Sequence, residues 1–63
     1  MRHNLIIARK DKDFTQREMA VQFDVTEQHY QRIEAGTSRG SMKFWEAARE
    51  YFGKPIDWLM ENK

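Results

Sequence analysis

The stretch TQREMAVQFDVTEQHYQRIEAG, residues 15–36, decides the fold. It opens on Thr15-Gln16-Arg17-Glu18, a T-x-x-E box. In such a box the threonine hydroxyl accepts from the amide three residues on, and the glutamate reaches back to the threonine amide. Met19, Ala20 and Phe23 then recur at helical spacing as an inward stripe. Asp24-Val25-Thr26 interrupts the pattern, with Thr26 placed as a second N-cap. Tyr30 and Ile33 carry the inward face onward, and Gly36 supplies the left-handed residue that ends a helix. These residues predict two short helices joined by a three-residue turn, the second over about 27–35.

Outward from this pair the chain keeps the same grammar. Before it, Arg2 to about Lys12 places Leu5 and Ala8 on one face, with Ile6 or Ile7 nearby and a basic end at Arg9, Lys10 and Lys12. After it, Met42 to about Tyr51 carries Phe44, Ala48, Tyr51 and Phe52 at helical spacing, and Gly53 closes the segment. Pro55 sits where a first-turn proline is tolerated, ahead of inward Ile56 and Leu59, with Trp58 or Met60 toward the flank. The breaks at Asp11–Phe14, Asp24–Thr26, Gly36–Ser41 and Gly53–Pro55 leave five segments, each too short to hold as a lone helix in water. The expectation is an all-α, compact five-helix bundle forming one domain over residues 1–63.

Composition supports this and excludes alternatives. With no cysteine, one proline and three glycines, the chain lacks both a disulfide framework and the frequent turns of a β-sandwich. No apolar run reaches membrane-spanning length, and the four apolar residues Leu5–Ala8 are too few for a signal peptide. A cytoplasmic protein is therefore expected. The net charge of +1 rules out a strongly polybasic binder, so any nucleic-acid role must rest on where charges sit. His3 and His29 have no carboxylate or nucleophile at catalytic spacing, and no glycine-rich phosphate loop or metal cluster is visible. No enzyme, metal or cofactor is expected.

The proportions of residues 15–36 are those of a helix-turn-helix. The chain resembles the Cro and lambda-repressor type of helix-turn-helix regulator. Arg9, Phe14-Thr15-Gln16, Met19-Ala20, Phe23-Asp24-Val25-Thr26, Tyr30, Ile33 and Glu34-Ala35-Gly36 follow that family's pattern in order. The tail Phe52-Gly53-Lys54-Pro55-Ile56-Asp57-Trp58-Leu59 looks like its closing helix. One departure is Asp24, where the family usually has glycine because the backbone tends to positive φ. Aspartate tolerates that region better than most residues, at some cost. The resemblance implies a helix-turn-helix formed by the second and third helices, and a partly buried ion pair between Arg9 and Glu34. It also implies a transcriptional regulator of a bacterium, phage or mobile element, with double-stranded DNA as partner.

If Tyr30 and Ile33 point inward, Glu27, Gln28, Gln31 and Arg32 face outward. Gln can bond adenine bidentately, Arg guanine, and Glu can accept from cytosine. The resemblance assigns base reading to Glu27, Gln28 and Arg32, whereas any exposed helix face could carry the same types. It assigns the DNA backbone to Gln16, at a helix N-terminus suited to phosphate, which would also buttress the recognition helix. Arg39 and Lys43 bracket a loop with Thr37, Ser38 and Ser41 that either contacts phosphates or is simply solvated. Arg2, Lys10 and Lys12 either line the DNA backbone or only solubilise.

Compact members of that family pair through their last helices, which makes Pro55, Ile56, Asp57 and Trp58 the dimer-interface candidates. A homodimer on DNA is expected, without a small-molecule effector, since no sensing domain follows Trp58. The alternative is a protein-interaction module on the same fold, an antitoxin or anti-repressor. It would use Phe44, Trp45 and Trp58 as aromatic anchors. Against it stands the polar outward face at Glu27, Gln28, Gln31 and Arg32.

Overall fold

The computed structural model describes all 63 residues and contains five helices and no strand. They are α1 (His3–Asp11), α2 (Gln16–Gln22), α3 (Glu27–Ala35), α4 (Met42–Phe52) and α5 (Ile56–Met60). No helix is long and apolar enough to cross a membrane.

Each helix start that carries a hydroxyl cap is where the sequence puts it. The Glu18 amide donates to the Thr15 hydroxyl at 3.1 Å and the Thr15 amide to the Glu18 carboxylate at 2.8 Å, completing the capping box. The His29 amide donates to the Thr26 hydroxyl at 3.0 Å, and the Phe44 amide to that of Ser41 at 3.1 Å. Each such cap stabilises its helix by about 1 kcal/mol. Gly36 ends α3 at φ 87°. Asp24 does adopt the left-handed region, at φ 57°, and so does Asp13, at φ 63°, in the α1–α2 connection. Pro55 is not a first-turn residue. It is the N-cap of α5, where its carbonyl accepts from the Leu59 amide at 3.1 Å.

The core is Leu5, Ala8, Met19, Ala20, Tyr30, Ile33, Phe44, Trp45, Ala48, Phe52 and Leu59. Ala20 is buried where α2 crosses α3, and half-buried Val25 packs the turn onto the core. Half-buried Phe23 joins α2 to α4 through edge-on aromatic contacts with Phe44, Tyr51 and Phe52, at centroid separations of 5.2, 5.7 and 6.0 Å. Such pairs add about 0.5–1.5 kcal/mol beyond burial.

Arg2 ends up elsewhere than sequence reasoning put it, and Trp45 takes the core place that is the commoner fate of such aromatics. Arg2 neither lines a nucleic-acid backbone nor solubilises a surface: it is 5% exposed and lies outside α1, as its N-cap. Its Nη1 donates to the carbonyls of Ile33 and Ser38, both at 2.7 Å, and its Nε to that of Met60 at 3.1 Å. A guanidinium is the one side chain whose planar fork can satisfy three carbonyls from three separate segments. Trp45, one of the proposed interaction anchors, is 1% exposed, because its indole N–H finds the Arg39 carbonyl at 2.8 Å inside the fold.

Candidate nucleic-acid interface

The α2–turn–α3 unit is locked by its backbone. The Val25 amide donates to the Ala20 carbonyl at 3.0 Å and the Asp24 amide to that of Val21 at 3.2 Å, backbone bonds that hold the turn together with the Val25 packing and the Thr26 cap. Tyr30, Ile33 and Glu34 form the buried face of α3. A helix that buries this stripe must turn the opposite side to water. Gln28, Gln31 and Arg32 are accordingly exposed, and Glu27 is half-buried.

Behind that face sits a buried polar lock. Arg9 Nε and Glu34 Oε2 are 2.7 Å apart, with Arg9 Nη2 3.4 Å from Glu34 Oε1. Gln16 Nε2 donates to the same Oε1 at 3.0 Å, and Arg9 Nη1 to the Phe14 carbonyl at 2.7 Å. One carboxylate thus ties α1, the start of α2 and the end of α3 together. The pair supplies orientation more than net stability, since desolvation offsets most of its attraction. The Tyr30 hydroxyl is buried beside it without a hydrogen-bond partner. Burial first, and the Glu34 carboxylate second, push its pKa well above the usual 10.0, so the phenol stays neutral.

The rim carries placed charges. Arg17, exposed on α2, pairs with Glu27 at 3.2 Å, and Gln31 Nε2 lies 3.4 Å from the other Glu27 oxygen. A carboxylate next to phosphate is disfavoured, and a neighbouring guanidinium is what offsets that penalty. Sequence reasoning passed over Arg17 because it reads as an ordinary residue of the capping box. Its spacing of ten residues from Glu27 becomes a contact only once the turn brings α2 against α3. Past α3, the Thr37 and Ser38 amides both donate to the Arg32 carbonyl, at 3.1 and 3.2 Å. Arg39 and Lys43 then project to solvent from the loop and the first turn of α4.

At the opposite end of the chain, Pro55 and Asp57 are exposed and Ile56 and Trp58 half-buried. The Lys54 ammonium lies over the Trp58 ring, 5.7 Å from its centroid. Of the three aromatic residues considered as protein-binding anchors, Phe44 and Trp45 are 4% and 1% exposed. They belong to the core and offer a partner no surface, which corrects the three-residue anchor set. Neither His3 nor His29 joins a group of three or more metal-ligating side chains.

Residues 5–59 match the family model described as helix-turn-helix, a span that includes all five helices but for their outermost residues. No curated protein and no solved structure gives a significant match.

Proposed function

The chain belongs to the helix-turn-helix family, of the Cro and lambda-repressor type, whose members are DNA-binding regulators, and from that premise we propose that it is a sequence-specific transcriptional regulator of the Cro or repressor kind. In this reading α3 lies in the major groove. Gln28 and Arg32 read base edges, joined by Gln31 and by Glu27 where a cytosine amino group faces it. Gln16, Arg39 and Lys43 hold the phosphates and set the register.

One observation carries the reading: an exposed polar face of Gln28, Gln31 and Arg32 on a helix held from behind by the buried Arg9–Glu34–Gln16 lock. A reading head needs side chains free to meet bases on a helix that does not rock, because misplacement by an ångström forfeits bidentate geometry. Rigid support with the Gln28 and Arg32 tips free, and Gln31 held only by its 3.4 Å contact to Glu27, meets that need.

With only Arg39 and Lys43 as cationic phosphate contacts, a single copy gains little from counterion release. Specific affinity then calls for two copies on half-sites about one helical turn apart. Pro55, Ile56, Asp57 and Trp58 are the surface proposed to join them. A binding selection from randomised double-stranded DNA, followed by footprinting and sedimentation with and without the selected site, tests all of this. The expected result is a pseudo-palindrome bound by two copies, with affinity falling steeply in salt. Enrichment of no sequence would remove the reading.

A further inference from the structure

Arg2, next to the N-terminus and outside the helix-turn-helix, is placed to govern its phosphate grip. The carbonyls that its Nη1 joins, at 2.7 Å each, are those of Ile33, in the last turn of α3, and Ser38, in the loop beyond. The next residue after Ser38 is Arg39, whose own carbonyl is held at 2.8 Å by the Trp45 indole N–H. The Arg2 guanidinium stacks over that same indole, 5.3 Å from its centroid. The Arg2 amide completes the attachment by donating to the Glu34 carbonyl at 2.8 Å. Two successive carbonyls of an otherwise exposed loop are therefore pinned from beneath by two stacked side chains, and the end of α3 is pinned by the same guanidinium.

We infer that Arg2 and Trp45 are positioning residues for DNA binding: together they fix the 37–41 loop against the end of α3, so that Arg39 is presented to a phosphate at a set distance from the bases α3 reads. The inference rests on the DNA-binding reading above and adds two residues to it that touch no nucleic acid. Arg2 is 5% exposed and Trp45 1%, so neither reaches a phosphate itself. Fixing the loop in advance spares the ordering cost that a mobile arginine would incur on binding. The two side chains are also not redundant. Arg2 holds the Ser38 end of the peptide pair, Trp45 the Arg39 end, and losing either frees a backbone pivot next to Arg39.

The test is the salt dependence of binding to the selected site, for wild type, Arg39→Ala, Arg2→Met, Trp45→Phe and the Arg2→Met/Arg39→Ala double variant. All are measured at a temperature where circular dichroism shows the variant folded. Each phosphate contact contributes about 0.9 to the slope of log K against log salt. Arg39→Ala is expected to lower the slope by about one and weaken binding roughly tenfold at low salt. Arg2→Met and Trp45→Phe are expected to lower the slope by a similar amount while leaving base preference in the selection unchanged. The double variant is expected to bind like Arg39→Ala alone. Trp45→Phe changes no charge and keeps an aromatic ring beneath Arg2, so it carries the test if Arg2→Met does not fold, and it separates loop positioning from loss of a buried cation. Wild-type slopes in folded Arg2→Met and Trp45→Phe would overturn the inference, as would a slope change in Arg2→Met alone. A wild-type slope in Arg39→Ala would instead overturn the Arg39 assignment on which the inference stands.

Discussion

Glu34 is the residue whose removal tests the architecture most directly. The residue is 2% exposed, and its carboxylate accepts from Arg9 Nε at 2.7 Å, Arg9 Nη2 at 3.4 Å and Gln16 Nε2 at 3.0 Å. Glu34→Ala leaves the Arg9 guanidinium, 11% exposed at the side chain, with only the Phe14 carbonyl as acceptor. Stranding one partner of a buried pair costs about 3–5 kcal/mol. A chain of 63 residues has about 3–9 kcal/mol in total. The single change therefore removes about a third or more of the stability. The Tm should fall by about 12 °C or more, at about 4–8 °C per kcal/mol for a domain of this size.

The contrasting variant is Arg9→Met with Glu34→Leu, which removes both desolvation penalties while filling the space. It should sit within about 1–2 kcal/mol of wild type, the residue being the unpartnered Gln16 amide. Urea unfolding followed by far-UV circular dichroism, on wild type, both singles and the double, gives the coupling energy directly. With the singles costing about 3–5 kcal/mol each and the double about 1–2, a value of about 4 kcal/mol or more is expected. A Glu34→Ala cost below about 1 kcal/mol, or a double variant as unstable as the two singles summed, would show that the lock contributes no more than a surface pair.

Other outcomes are expected from single side chains. Asp24→Gly should raise stability by about 0.5–1 kcal/mol in the same urea assay, because glycine adopts the φ of 57° found there without side-chain strain; a loss would mean the aspartate makes a compensating contact. Tyr30→Phe should be neutral or stabilising near neutral pH, since the hydroxyl it removes is buried and unpartnered. The folded-state pKa of Tyr30 is raised, so the wild type binds the proton more tightly folded than unfolded. Its stability should decline by up to about 1.4 kcal/mol per pH unit above the ordinary tyrosine value of 10.0, and the Phe variant should lack that decline. Identical alkaline curves for the two proteins would count against the buried phenol. Gln28→Ala and Arg32→Ala should each flatten base preference at one position of the selected site by about 1–3 kcal/mol with little effect on Tm; an unchanged preference in the Arg32 variant would remove its reading role.

The sequence by itself determined whatever depends on neighbours three or four residues away. The Thr15–Glu18 box, the Thr26 cap, the Gly36 stop and the inward stripe of Tyr30 and Ile33 are local matters of backbone donors and helical period. The left-handed Asp24 was implied by the family resemblance, in which glycine usually holds that turn position. Asp13 adopts the same region and escaped notice, since the α1–α2 connection carries no comparable signature. What only the tertiary structure decided is where amphipathic side chains spend themselves. Arg2 and Trp45 each join a large apolar or aliphatic body to hydrogen-bond donors, and a pattern of residues does not say whether acceptors lie within reach. The acceptors of Arg2 are 31, 36 and 58 residues distant along the chain. Folding brings those carbonyls together, and a charge that composition counts as surface becomes a buried tie between three segments.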